Sequence, residues 1–509
     1  MFAKDLTDPI IEQLSASLQH IKGDGARIAL VVAPGQEPGP EAVRLADVVV
    51  AGPPPPVPFG LFAALERAGL DDVRRLGVIG THPVSILAAH RAGAAAIVGL
   101  TLNGEDRSSL LPAQPDAIVR PEEVAALDDS RYGRHRLLRE QVLLNPGPAV
   151  VSDRVHRAIA GPDLCHREPE YTTLVASVRR KLLTIAGVDD QWEVAFLAGS
   201  GTAALEAMTI SAVRTGRKLL VCRNGVYGIR IETIARRHGI EVVVVEAPDT
   251  EPIRPDAVSQ ALAHEPAIDA VAIVHHETTT GLLNPVHEIA AVAQEHDLPV
   301  LCDAISSLGA EDLRLHGTGI DLVACTSNKC LHGLPGVAFV LISPRAQQRL
   351  RETPRRSLYL DLLAYLDAQA QATVPFTPAI PAMYGLDAAL DELLEEGLAR
   401  RHAMYARRMA YLDRTLGELG LEPRVAAPHR SRSVRSLPLP PGVTYDPLHD
   451  ALKRQGYVIY AGLGNAAKSS FRVCALGNIS LEALSGFTQC LAETLDRLAP
   501  HGAAKDNVR

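Results

Sequence analysis

The residues of this 509-residue chain that could do chemistry fall in four clusters between positions 199 and 329. Gly199-Ser200-Gly201-Thr202 stands between an apolar run and a helix-like run that begins near Ala203. A glycine-rich turn at a helix N-terminus offers free N–H groups and the positive end of the helix dipole, which suits a phosphate. The hydroxyls of Ser200 and Thr202 add donors. His275-His276-Glu277-Thr278-Thr279-Thr280-Gly281 closes a second apolar run with three hydroxyls that can bond a ring oxygen or a phosphate. Asp303 follows a third run; a carboxylate ending a buried strand is costly unless it meets a cation, which would also keep it ionised. Lys329 follows a fourth run and precedes Gly333-Leu334-Pro335-Gly336. A buried lysine shifts its pKa readily and serves as a Schiff-base amine. Each cluster alone has an ordinary explanation: a strand-to-helix turn, β-branched residues ending a strand, a paired carboxylate, a solvated lysine.

The combination is more specific than its members. A phosphate cup, a hydroxyl cluster, a strand-end acid and a strand-end lysine are what pyridoxal 5′-phosphate (PLP) needs. That cofactor takes a lysine as its Schiff-base partner and an acid that keeps the pyridine nitrogen protonated as an electron sink.

The elements that must position these groups are short apolar runs at 194–197, 219–222, 242–245, 270–274, 299–302, 322–325 and 337–342. Helical patterns separate most of them, such as 286–295. Fully apolar short strands predict a sheet covered on both faces, and ligands in open α/β sheets bind at the carboxyl ends of the strands. The expectation is a large doubly wound α/β domain over 141–395. A helical stretch over 386–419 should lead from it into a small α+β domain over 396–500, with a disordered tail at 501–509. Before it, apolar runs at 28–33, 76–80 and 95–100 alternate with helical patterns at 61–68 and 84–92, which predicts a small parallel α/β layer over 1–128. The charged segment 129–140 reads as a linker.

Composition bounds the rest. Lys+Arg 51 against Asp+Glu 59 leaves a net charge of −8, which argues against a nucleic-acid binder. No apolar run reaches the ~18 residues of a membrane span, and the first residues do not read as a signal peptide. Seven cysteines without a CxxC pair suggest neither a disulfide framework nor a metal site, and a cytoplasmic compartment is expected. Gly462-Leu463-Gly464-Asn465-Ala466-Ala467-Lys468-Ser469 imitates a dinucleotide or phosphate loop, but Ala467 stands where a P-loop needs glycine and no βαβ pattern follows.

From about Leu143 to Leu498 the chain resembles the class V, fold-type I aminotransferases. The resemblance rests on Asn145-Pro146-Gly147-Pro148, the GSGT turn, Asn224-Gly225-Val226-Tyr227-Gly228, HETTTG, DAISSLGA and SNKCLHGLPG. HETTTG and NKC point to the branch that uses 2-aminoethylphosphonate and pyruvate. The stretch 376–391, FTPAIPAMYGLDAALD, reads more like the glyoxylate-using relatives, so an alanine– or serine–glyoxylate activity is the alternative. The resemblance implies that Lys329 binds PLP and shuttles the substrate proton, and that Asp303 pairs with the ring nitrogen. It implies that Ser200, Gly201 and Thr202 hold the phosphate. Thr278, or alternatively Thr280, faces the ring oxygen. Tyr227 either stacks on the ring or is a plain core tyrosine. Thr377, in Pro375-Phe376-Thr377-Pro378, matches a residue that crosses to the other subunit's phosphate, which implies a homodimer. Arg472 matches the arginine that grips the substrate carboxylate. A phosphonate needs a further cation; Arg230 and Arg167 are candidates, with a structural ion pair the stronger expectation for either.

Residues 51–127 resemble the C-terminal half of a haloacid-dehalogenase (HAD) domain of the phosphonoacetaldehyde hydrolase type. The metal motif should fall at Gly80-Thr81-His82-Pro83-Val84-Ser85, where Thr81 and Ser85 replace both acids. Without carboxylates no Mg²⁺ site forms, so this segment is expected to be non-catalytic.

Overall fold

A computed structural model of the chain describes residues 141–498 throughout; before them it describes 29–32, 46–51, 77–80, 96–100, 117–119 and a few single positions. The chain divides into two compact units, Met1–Gln141 and Val142–Arg509.

In the first unit, strands β1 (Ala29–Val32) and β2 (Val48–Ala51) pair in parallel. Strands β3 (Gly77–Gly80), β4 (Ala96–Leu100) and β5 (Ala117–Val119) form a second parallel set. Three of these match the apolar runs expected from sequence; β2 and β5 were not foreseen. The proposed metal-motif positions 81–85 lie outside the described residues.

The second unit opens with β6 (Val142–Leu143), α1 (Asp153–Ala158) and α2 (Pro169–Ala186). The site-bearing sheet then begins: β7 (Glu193–Gly199), α3 (Gly201–Ser211), β8 (Lys218–Arg223), α4 (Val226–Arg237), β9 (Glu241–Glu246), α5 (Pro255–His264) and β10 (Ile268–Val274). A small hairpin of β11 (His276–Glu277) and β12 (Leu282–Leu283) precedes α6 (Val286–Glu295) and β13 (Val300–Asp303). Next come β14 (Ile320–Thr326), β15 (Gly336–Ile342), α7 (Pro344–Leu350), α8 (Leu362–Ala370), α9 (Ile380–Glu396) and α10 (Leu398–Glu418). The C-terminal part holds β16 (Val434–Pro438), α11 (Tyr445–Arg454), β17 (Tyr457–Val458), β18 (Tyr460–Ala461), β19 (Ser470–Cys474) and α12 (Leu481–Leu498).

The large sheet has the order β7-β15-β14-β13-β10-β8-β9. Every pair is parallel except those of β15, which runs against both β14 and β7. All residues of β10 and β14 are buried, as runs without a polar face require. One core layer packs α2, α5, α6 and α9 residues such as Leu182, Leu262, Ile289 and Leu386 on one face. The other packs α3, α4 and α8 residues such as Leu205, Ile231 and Leu362 on the opposite face. Phe339 of β15 is fully buried, its ring centroid 6.1 Å from that of Phe196 on β7; truncating it to alanine would cost about 3–5 kcal/mol.

The helical stretch expected over 386–419 is two helices, broken at Gly397, whose φ of 83° is open to glycine at little cost. The small domain is a three-stranded sheet, β16-β19-β18, packed on α10, α11 and α12. One boundary differs from expectation. Residues 142–144 belong with this C-terminal part, because β6 pairs with β17 and Leu144 is buried with Leu412 and Phe471. The 462–467 imitation of a nucleotide loop is a single 3-10 turn between β18 and β19. Among the described residues no helix is long and apolar enough to cross a membrane.

Candidate active site

Four chain crossings bring the sequence-predicted groups to one edge of the sheet. β7 ends at Gly199, β10 at Val274, β13 at Asp303 and β14 at Thr326, all at their carboxyl ends. Register sets Val274 beside Asp303 and Asp303 beside Ala324.

The cup forms where β7 turns into α3. Ser200 is the N-cap in extended conformation, and no side chain caps the helix, so its first N–H groups and dipole are left for an anion. Gly201 packs closely here, since a Cβ would stand 3.0 Å from the tip of Ile305 in the loop after Asp303 and would push it aside. Arg230, one turn into α4, donates from Nη1 to Thr202 Oγ1 at 3.1 Å and lies 4.8 Å over the Tyr227 ring. The expected ion pair of Arg230 is absent: no carboxylate lies within salt-bridge distance of it among the described residues. Arg167 is exposed, donates to Thr373 Oγ1 and the Val374 carbonyl at 3.3 Å each, and forms no ion pair either.

Asp303 is 4% exposed, and its carboxylate accepts one hydrogen bond, from the Ile305 N–H at 3.0 Å. Burial pushes it up to about 6, against the Ile305 N–H and the charges of Lys329 and Arg230. A cation at its free oxygen would reverse that shift. Lys329 Nζ donates to Ser306 Oγ at 2.8 Å and stands 5.5 Å from the Tyr227 ring centroid. Tyr227 is therefore brought to the lysine, half-buried, while it also packs on the core layer of Leu205 and Ile231. The Ser306 carbonyl accepts from His276 Nδ1 at 2.9 Å and from Cys330 Sγ at 3.2 Å. Burial lowers His276 to about 4, with Lys329 adding to it, so the ring is neutral and its Nδ1 is the donor.

The hydroxyl turn is buried as well. Thr278 and Thr280 are 0% and 2% exposed, and neither Oγ1 has a partner. Arg472 on β19 reaches this turn. It donates from Nη1 to the Thr278 carbonyl at 3.2 Å and from Nε to the Ala461 carbonyl at 2.9 Å, and has no carboxylate partner among the described residues. Thr377 is not brought to the other groups within this chain. It lies exposed between α8 and α9, beside Phe376, whose ring packs on Tyr359 at 4.9 Å and Tyr365 at 6.0 Å.

Ser306 and Glu277 were present in the motifs but had no assigned role. Ser306 orients the lysine amine; Glu277 accepts from the Tyr227 N–H at 3.1 Å. The type of each residue was readable; its partner was not.

The groups present fit PLP. The set offers a helix N-terminus without a cap, a buried carboxyl with one neutral donor, two buried hydroxyls without partners, and a lysine among them. No group of three or more His, Cys, Asp or Glu among the described residues is placed to hold a metal ion.

Comparison with known proteins agrees with this geometry. The family profile described as Aminotransferase class-V matches residues 152–479. A 2-aminoethylphosphonate–pyruvate transaminase of Polaromonas sp. is 33% identical over 70% of this chain and 97% of its own length. One from Vibrio cholerae is 35% identical over 66% of this chain and 93% of its own. Among solved structures, an aspartate aminotransferase of Thermus thermophilus matches with a TM-score of 0.64 and 32% identity, over 70% of this chain and 99% of its own. An alanine–glyoxylate aminotransferase of Nostoc sp. matches with a TM-score of 0.66 and 27% identity, over 70% of this chain and 95% of its own. The cup, the carboxyl, the lysine and these matches together make this chain a member of the class V aminotransferases, enzymes that work with pyridoxal 5′-phosphate.

Proposed function

We propose that the chain transfers the amino group of 2-aminoethylphosphonate to pyruvate, giving phosphonoacetaldehyde and alanine. The observation that carries this reading is the pair of arginines at the site, Arg230 and Arg472, neither of which has a carboxylate partner among the described residues. Arg472 is buried and Arg230 half-buried; a guanidinium out of water without a counter-ion is costly, and an anionic substrate beside the cofactor phosphate supplies what it lacks. The relatives named for this reaction, at 33% and 35% identity, support it.

When bound, PLP supplies the carbonyl carbon that takes the amino group and the protonated ring that stores the electron pair released at the substrate carbon. The chain's own residues do the rest. Lys329 Nζ, oriented by Ser306, removes and returns the proton of the carbon bearing nitrogen. Asp303 holds the ring nitrogen protonated. The N-terminus of α3, with Ser200, Gly201 and Thr202, holds the phosphate. Tyr227 covers the ring, and Thr278 or Thr280 meets its oxygen. Arg472 takes the carboxylate of the 2-oxo acid, and Arg230 the phosphonate.

Thr377 is exposed on its loop, which leaves it open to a second copy, and we read the working unit as a homodimer with shared sites. All seven cysteines are free, which suits a cytoplasmic enzyme. Residues 1–128 we read as a degenerate HAD-like, non-catalytic appendage, on the loss of acids at Thr81 and Ser85. The alternative substrate set, alanine or serine with glyoxylate, draws on the 376–391 stretch and on the likeness to the alanine–glyoxylate enzyme.

A half-reaction screen tests the assignment. PLP-loaded protein is mixed with 2-aminoethylphosphonate, alanine or serine, and the visible cofactor band is followed. The phosphonate should bleach it fastest; a response to alanine or serine with none to the phosphonate would overturn the substrate assignment in favour of the alternative.

A further inference from the structure

Glu277 is a buried carboxyl to which the proposed chemistry gives no task. It ends β11, has no solvent exposure, and accepts from two neutral donors, Thr279 Oγ1 at 2.7 Å and the Tyr227 N–H at 3.1 Å. No cation lies within salt-bridge distance of it among the described residues. A carboxyl in such a place costs stability unless its hydrogen bonds offset the lost hydration.

The fold makes room for it. Gly225 has an extended backbone, with φ of −173°, that any residue could adopt. A side chain there is excluded by Glu277, whose Cγ and Cδ would lie 2.3 Å from the Cβ. Gly225 is also the N-cap of α4 and supplies no side-chain cap. Glu277 caps the helix from another segment of the chain, at an N–H where the helix dipole favours negative charge. This helix carries Tyr227 and Arg230, the two residues that stand over Lys329 and the cup.

Asp303 is the second neighbour. Burial and the Asp303 charge push Glu277 up to about 7, while the Thr279 and Tyr227 donors pull it down. The titratable groups around it are Asp303 on β13, Tyr227 on α4 and His276 beside it in β11.

We propose that Glu277 is a positioning residue: it fixes Tyr227 and Arg230 against the ring site by capping α4, and its charge beside Asp303 strengthens the site's hold on a proton of the bound cofactor. This rests on Asp303 being the ring-nitrogen partner.

The test uses the PLP-loaded full chain, wild type against Glu277→Gln and Gly225→Ala, with the visible band titrated against pH and the amine half-reaction timed. Above about pH 7, where Glu277 is ionised, the substitution removes a negative charge and weakens the protonated form, so Glu277→Gln should move the band's midpoint to lower pH by about half a unit or more. Its half-reaction should slow about tenfold or more with little change in KM for the amine. An unchanged midpoint and rate in a folded, PLP-loaded Glu277→Gln protein overturns the proposal. Should Glu277→Gln fail to fold, Gly225→Ala decides. That variant keeps the carboxyl but displaces it from α4, so a slowed half-reaction with PLP still bound supports the proposal, and a wild-type rate overturns it. Failure of the wild-type chain to take up PLP would overturn the transaminase reading itself, and is told apart because it appears before any variant is made.

Discussion

Arg472 donates from Nη1 to the carbonyl of Thr278 at 3.2 Å. The arginine of the small-domain sheet and the hydroxyl turn of the large domain are thereby tied into one construction. Among the described residues the Thr278 hydroxyl itself stays without a partner, and no acid pairs with Arg472. A lysine at 472 could not bond the Ala461 and Thr278 carbonyls and still present two donors to a carboxylate. Arg472→Lys should lower kcat/KM for the 2-oxo acid by roughly 100-fold, about 2.7 kcal/mol. The visible cofactor band should persist. Steady-state kinetics with varied 2-oxo acid measures this; a change within twofold would remove Arg472 from the substrate site.

Gly147 has φ of 128°, and a Cβ there would lie 3.1 Å from Lys329 Cγ and 3.2 Å from its Cε. Gly147→Ala should therefore act twice. Backbone strain should lower stability by about 1–3 kcal/mol. Pressure on the lysine stem should slow the amine half-reaction while leaving substrate KM nearly unchanged. Thermal melts and rapid-mixing kinetics report the two effects separately.

Glu311 is 3% exposed and accepts from the Arg432 N–H at 2.6 Å. Burial pushes it up to about 7, opposed by the Arg432 N–H and the charges of Arg432 and Arg435. An acid raised above its unfolded value binds its proton more tightly when folded. Its stability contribution is therefore present at low pH and is lost as pH rises from about 4.5 to about 7. Glu311→Gln removes that loss and keeps an acceptor for Arg432. It should stabilise the protein by at most about 3 kcal/mol near pH 8, and by much less near pH 5. Urea unfolding at the two pH values checks the sign.

Tyr405 is fully buried and bonds His332 Nε2 at 2.6 Å, which also receives the Gly477 N–H at 3.2 Å. This joins the loop after Lys329 to α10 and to the small domain. Burial holds His332 well below its ordinary range, so it stays neutral near pH 7. Tyr405→Phe should cost about 1 kcal/mol in urea unfolding, with no pH dependence between about pH 6 and 8. A much larger cost, or one that varies across that range, would contradict the neutral assignment.

The seven sheet strands were legible because each is an apolar run, buried along most of its length in all but the edge strands β7 and β9, and Asp303 and Lys329 were legible because polar residues closing such runs stand out. Strand direction was not. A fully buried run has no polar face to betray orientation, so the antiparallel course of β15 had no signal. The attachment of β6 to the C-terminal part depends on a two-residue pairing with β17 far along the chain. The contacts of Ser306 and Glu277 are tertiary, so residue type alone left them without roles. Arg230 was expected to be an ion pair on the habits of surface arginines; the site instead gives it Thr202, the Tyr227 ring and no acid.

The proposed function requires Lys329 to hold the cofactor. Borohydride reduction of the PLP-loaded protein, followed by peptide mapping, tests it most directly, with Lys329→Ala as the control. A single pyridoxyl label on Lys329 and no visible cofactor band in Lys329→Ala are the expected results. A label on another lysine, or a Lys329→Ala protein that keeps the band and its activity, would contradict it.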